Sequence, residues 1–298
     1  MLNAFRIGHM QDEGVGTGVT VILAPGGAVG GVAVLGNAPA TRETDLLRSE
    51  CTVDKVNAVV LSGGSAFGLE AACGVMEYLK KRGFGYPAGA YQVPIVVGAS
   101  LYDLEYKTFG YPDKEMGKTA CEAAGDFCEL GASIGAGCGA TVGKLRGAAH
   151  AAKCGLGVAT IKIGAVEMAA VVAVNAFGNV YSPETGEMLC GMMQNGKPVD
   201  IEKMLRYGVE GIAGMNTTIG CVVTNAKLTK AQCNVLAKTV HDAYARCIHP
   251  VHTMVDGDAV FVMASGEVEC NLLAMQSECT KLMMRAIVNA AKRADDLV

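Results

Sequence analysis

The sequence predicts a layered α+β fold with mixed αββα packing rather than a doubly wound parallel sheet. Three observations carry this. Apolar side chains make up 51% of a 298-residue chain, enough for one large core or two small ones. Strand-like and helix-like segments are roughly balanced. Several strand-like segments follow one another with no helix between them, unlike a regular β–α alternation.

Taken in order, residues 17–23 alternate and carry β-branched side chains, so they read as a strand. Gly26, Gly27, Gly30 and Gly31 suggest a turn or a close backbone approach before a second short strand at 32–35. Residues 56–61 form a strand that ends in the turn Ser62-Gly63-Gly64-Ser65. Over 66–81, Leu69, Cys73, Met76 and Leu79 share a helical face. A strand at 93–97 precedes a surface segment at 103–116 and a helix at 118–130, with Ala120, Ala123, Ala124 and Phe127 inward. The Gly/Ala-rich stretch 131–157 reads as loop and turn. Strands at 158–163 and 167–175 lead to turn chemistry over 177–189 and a linker-like stretch at 198–213. A strand at 218–224 is followed by a helix at 230–246 with Thr229 as its N-cap. A strand at 258–264 and a helix at 275–292 close the chain.

The formal net charge is -4 and no Lys/Arg-rich run occurs, so neither nucleic acid nor an anionic membrane is an expected partner. The first 18 residues hold Asp12 and Glu13 and lack the apolar core of a signal peptide. No window approaches the roughly 18 consecutive apolar residues of a membrane helix. The expected location is the cytoplasm. Twelve cysteines are scattered singly with no Cys-x-x-Cys, which suits reduced thiols packed as small hydrophobes.

The glycines of Ser62-Gly63-Gly64-Ser65-Ala66-Phe67-Gly68 have the wrong spacing for a dinucleotide site, so the segment reads as a tight strand-to-helix junction near a pocket. Neither a Walker pattern nor a Gly-x-Ser-x-Gly elbow is present. His249 and His252 are separated by Pro250 and do not share a helix face; with Asp256 they make a weak metal candidate. The segment Gly214-Met215-Asn216-Thr217-Thr218-Ile219-Gly220 carries more. A cut between Asn216 and Thr217 would place the nucleophilic hydroxyl of Thr217 beside its own α-amine, a built-in general base. Uncut, the same residues are a turn leading into a strand. Asn175 ends one strand, and Asp256 and Asp258 precede another.

The ordered motifs Thr41-Arg42-Glu43-Thr44-Asp45-Leu46-Leu47, Ser62–Leu69, Gly155-Leu156-Gly157, Val174-Asn175-Ala176-Phe177-Gly178, Asn216-Thr217-Thr218-Ile219 and His252-Thr253-Met254-Val255-Asp256-Gly257-Asp258 span nearly the whole chain. On them, the chain resembles the L-aminopeptidase/D-amidase-esterase family, the DmpA-like and β-peptidyl aminopeptidases. The resemblance implies a four-layer αββα sandwich of the ornithine-acetyltransferase-like type. It implies a single catalytic domain, self-cleaved into residues 1–216 and 217–298, with no metal or organic cofactor. It implies an aminopeptidase/amidase that takes the N-terminal residue from small peptides, amides or esters with a free N-terminus, through a covalent acyl-enzyme. Assembly into a homo-oligomer, a tetramer in many members, is implied as well.

By the same resemblance, Thr217 is the nucleophile and Asn175 helps to hold the oxyanion. Asp256 and Asp258 support the Thr217 amine or pair with the substrate ammonium; many members have Ser and Glu at these two places. The tyrosine that some members carry in the loop corresponding to 137–153 is missing here. Two rivals share the fold: an acyltransferase that passes the acyl group to an amine, and an unprocessed, non-catalytic homologue.

Overall fold

The computed structural model describes residues 2–208 and 216–292. Ten strands form one sheet: β1 (Arg6–Asp12), β2 (Thr17–Val34), β3 (Ala40–Arg42), β4 (Lys55–Ser62), β5 (Val96–Ser100), β6 (Leu130–Ala132), β7 (Leu156–Ile163), β8 (Val166–Asn175), β9 (Thr217–Ala226) and β10 (Ala259–Val268). The order is β3-β5-β4-β2-β10-β9-β8-β7-β6, with β1 paired to β2. The helices are α1 (Ala71–Lys81), α2 (Lys114–Glu122), α3 (Ile201–Arg206), α4 (Lys230–Cys247) and α5 (Leu272–Lys292).

Strand β2 explains how one sheet makes two layers. Its first part pairs with β4, its last part with β10, and the β4 register shifts between Leu23 and Ala28. The sheet folds over at this irregularity. Ile22, Val59, Leu61 and Val97 of one half then pack against Val171, Ile219, Cys221 and Phe261 of the other. The outer face of the first half, with Val19, Val21 and Val60, is covered by α1 and α2. The outer face of the second half, with Val172, Val222 and Val262, is covered by Leu236, Val240 and Tyr244 of α4 and Leu282 and Ile287 of α5. The layers run α, β, β, α, as the sequence predicts.

Several boundaries differ from expectation. The two strands expected on either side of Gly26–Gly31 are one, β2. Close approach is the role the structure gives Gly31: a Cβ there would lie 2.5 Å from the backbone of Cys233 in α4. Residues 65–70 form a 3-10 turn ahead of α1. Helix α2 starts earlier than predicted because Asp113 caps it, its carboxylate accepting the Met116 N–H at 2.9 Å. It stops at Glu122, since Gly125 is drawn into backbone pairing with Ile7. The loop expected at 131–157 contains the end of β6 and the short paired strands Thr141–Val142 and Ala152–Lys153. The linker-like stretch contains α3; residues 209–215, including Gly214 and Met215, lie outside the described residues. Helix α4 matches expectation, with a full capping box of Thr229 and Gln232.

Candidate active site

Thr217 opens β9 and stands in register with Asn175, the last residue of β8. Strand alternation puts Thr217 in phase with Ile219 and Cys221, and Asn175 in phase with Val171 and Ala173, all of which face the inter-sheet core. Both residues are buried. The Thr217 hydroxyl donates a short hydrogen bond to the carbonyl oxygen of Asn216. The Gly257 N–H donates to that same oxygen at 2.9 Å. Gly257 has no room for a side chain: a Cβ would sit 2.9 Å from Thr217 Oγ1 and 2.5 Å from the Ala38 carbonyl oxygen. The Asn216–Thr217 peptide is therefore gripped between a hydroxyl and a backbone donor.

Asn175 anchors the next group. Its Oδ1 accepts the Thr141 N–H at 3.0 Å and Lys144 Nζ at 2.6 Å, while its Nδ2 donates to the Tyr102 carbonyl at 2.9 Å. Lys144 Nζ also donates to the Asn175 carbonyl at 3.2 Å. Lys144 is buried, and loss of water pulls its pKa down to about 7 against the opposing pull of Asp256 and Asp103. A substantial share of this amine is therefore neutral near pH 7.

Asp256 and Asp258 lie on the other flank, where a backbone bridge joins Asn216 to Asp256. Asp256 accepts from Phe177 N–H at 3.2 Å, Thr253 N–H at 3.1 Å and the Thr253 hydroxyl at 2.5 Å. Burial, then the neighbouring Asp258 charge, raises its pKa to about 6. Asp258 accepts from Thr218 N–H at 2.7 Å and from His252 at Nδ1, 2.8 Å away. Both carboxylates grip backbone around Thr217, and both are buried.

A cavity of about 230 Å³ adjoins this cluster, with Lys144 in its wall together with Tyr102, Asp103, Glu105, Tyr106 and Lys153. Asp103 is tied to the strand-to-helix junction: its oxygens accept Gly64 N–H at 2.7 Å and the Thr17 hydroxyl at 2.8 Å. Burial raises its pKa to about 6, opposed by those two donors and by Lys144. Burial likewise lowers Lys153 to about 8, although its Nζ donates to the carbonyls of Gly137, Ala140 and Cys154. The junction thus reaches a pocket, as expected, through a carboxylate that the sequence did not single out.

The structure brings Thr217, Asn175, Asp256 and Asp258 together from three strand ends. It separates His249, whose ring stacks on Tyr181, from His252, which serves Asp258. Lys144, like Asp103 and Lys153, is a group that sequence reasoning missed. Its signal was a lone lysine inside the apolar run Gly139-Ala140-Thr141-Val142-Gly143-Lys144-Leu145.

No helix among the described residues is long and apolar enough to cross a membrane. The model of peptidase family S58 matches residues 3–295. An uncharacterized aminopeptidase of Mycobacterium leprae is 38% identical over 295 residues, covering 92% of this chain and 80% of that protein. A 6-aminohexanoate-oligomer endohydrolase of a Kocuria species is 31% identical over 310 residues, covering 96% and 83%. Among solved structures, a Burkholderia β-aminopeptidase superposes with a TM-score of 0.70 at 17% identity, over 96% of this chain and 84% of that one. The L-aminopeptidase D-Ala-esterase/amidase of Ochrobactrum anthropi, described as a variant of the Ntn hydrolase fold, gives a TM-score of 0.70 at 15% identity, over 97% and 84%. Matched along nearly its full length, the chain belongs to peptidase family S58 and is a hydrolase of peptide or amide bonds.

Proposed function

We propose that the chain cleaves itself between Asn216 and Thr217, and that Thr217 then serves as an N-terminal nucleophile releasing N-terminal residues from small peptides, amides or esters. The observation that carries this reading is the Thr217 hydroxyl on the Asn216 carbonyl oxygen, with Gly257 N–H on the same atom at 2.9 Å. Before the cut, Thr217 has no free amine and needs another base. Lys144, neutral in part near pH 7 and held against Asn175, is the group suited to that task.

In self-cleavage, Thr217 Oγ bonds to the Asn216 carbonyl carbon as its proton passes to the base. Gly257 N–H stabilises the resulting oxyanion. The carbon–nitrogen bond then breaks, the nitrogen takes up a proton, and an ester joins Asn216 to Thr217. Water adds to the ester, Asn216 leaves as a carboxylate, and Thr217 regains its hydroxyl. The new α-amine, with an ordinary pKa of about 7.7–8.0, becomes the base for turnover.

In turnover, Thr217 Oγ attacks the substrate carbonyl, the amine or alcohol departs with a proton, and water releases the acyl group. Asn175 Nδ2 carries a second hydrogen beyond the one on Tyr102, which suits it to an oxyanion. The cavity beside Lys144 is sized for a small acyl group, and Glu105 at its wall supplies negative charge for a substrate with a free amine. Relatives named for aminopeptidase activity and for 6-aminohexanoate oligomers support an amide-bond substrate of amino-acid type.

The test is hydrolysis of a panel of amino-acid p-nitroanilides by the wild type beside Thr217→Ala, with a denaturing gel of each. Two bands and activity in the wild type, with one band and none in the variant, are expected. One band in both, with no hydrolysis, overturns the reading.

A further inference from the structure

Asp258 is held from a side that the chemistry above does not use. Its carboxylate is wholly buried between two partners. One oxygen accepts the Thr218 N–H at 2.7 Å, which is the amide of the Thr217–Thr218 peptide. The other accepts twice from a single residue: from His252 Nδ1 at 2.8 Å and from the His252 backbone N–H at 3.2 Å. His252 has φ +54°, in the left-handed region that residues other than glycine enter uncommonly. Behind it the ring meets His241 edge-on, with centroids 4.8 Å apart, and Tyr244 at 6.1 Å. His252 Nε2 is buried with no hydrogen-bond partner among the described residues. The polar contact that the left-handed turn secures is therefore the one to Asp258, on which both donors of residue 252 converge.

We propose that His252 is a positioning residue for Thr217. Its imidazole fixes the Asp258 carboxylate, and Asp258 fixes the Thr217–Thr218 peptide, so that Thr217 Oγ faces the carbonyl it attacks. His252 itself touches neither that carbonyl nor the substrate cavity. The inference rests on Thr217 being the nucleophile.

Three variants separate the ring from the turn. His252→Gly adopts the left-handed backbone without strain but has no ring. His252→Asn tolerates the same backbone and keeps a side-chain N–H donor. His252→Ala lacks both advantages; should it fail to fold, the other two carry the comparison. The readouts are the rate at which fragments appear in intact mass spectra, and kcat and KM of the cut enzyme on an amino-acid p-nitroanilide. Loss of a hydrogen bond to a charged group predicts that His252→Gly cuts itself and turns over about 10- to 100-fold more slowly, with KM little changed. His252→Asn is expected to recover most of that loss. A His252→Gly enzyme with wild-type rates overturns the inference and leaves the Thr217 reading standing. An increase in KM at unchanged kcat, or a His252→Asn variant no faster than His252→Gly, also overturns it. A wild type that stays whole overturns both.

Discussion

The two flanks of Thr217 are built from different material. On the Asn175 flank, a lysine amine is buried with a pKa of about 7, so its protonation changes across neutral pH. On the Asp256–Asp258 flank, the polar atoms are carboxylates braced by backbone N–H groups of Phe177, Thr218, His252 and Thr253. The contrast separates proton transfer from geometry. One flank supplies an amine that changes protonation near pH 7, and the other, where Asp256 titrates about a unit lower, holds the peptide in place through bonds that fix direction.

Breaking the first flank gives the larger effect. Lys144→Met is expected to slow self-cleavage by about 10²- to 10⁴-fold, the usual worth of a general base. Fragment appearance followed by mass against pH checks it. The wild-type rate should climb through pH 7, where the amine loses its proton, and level above it. A Lys144→Met rate with the same climb would assign the base elsewhere.

The same amine predicts a stability signature, measured in the uncut Thr217→Ala background. Lys144 has a folded pKa of about 7, below the ordinary lysine value of 10.5. Between those values the unfolded chain binds more protons, so stability rises with pH across that window. Asp256 and Asp103 act oppositely: their folded values of about 6 exceed the ordinary 3.8, so their contribution falls as pH rises from about 4 to 6. Denaturant titrations should show a smaller upper rise in Thr217→Ala/Lys144→Met, where Lys153 with its pKa of about 8 still contributes, while the lower fall persists. An upper rise equal to that of Thr217→Ala alone would contradict the assignment.

The smallest expected effect lies far from both flanks and concerns the two segments on either side of the proposed cut. Lys230, in the segment that follows Asn216, is buried and donates to the carbonyls of Leu46, Arg48 and Cys51 in the segment before it. Strand β9 pairs along its length with β8, and β10 with β2, which join the same two segments. Lys230→Met should lower stability by about 2 kcal/mol through lost charged hydrogen bonds, read by urea denaturation, with the fragments still eluting together.

How much of this was legible in the sequence follows from the same contrast. Asn175, Thr217, Asp256 and Asp258 stand at or beside the ends of β8, β9 and β10, whose alternation locates them, and the motifs of the resemblance name them. The layers were legible for the same reason. Lys144, Asp103 and Lys153 sit on segments with no period; burial shifts their pKa values, and they bond to groups distant in sequence, such as Thr17 and Gly64 beside Asp103. Strand β2 differs from expectation because its glycines signal a turn locally, while the space at Gly31 is set by α4, two hundred residues away. Local rules cannot carry that information.

The most direct test of the central claim is the intact mass of the purified wild-type protein. The account predicts two species, with the masses of residues 1–216 and 217–298, the second beginning Thr-Thr-Ile-Gly. A single species of full-length mass, or a cut at any other bond, would contradict it.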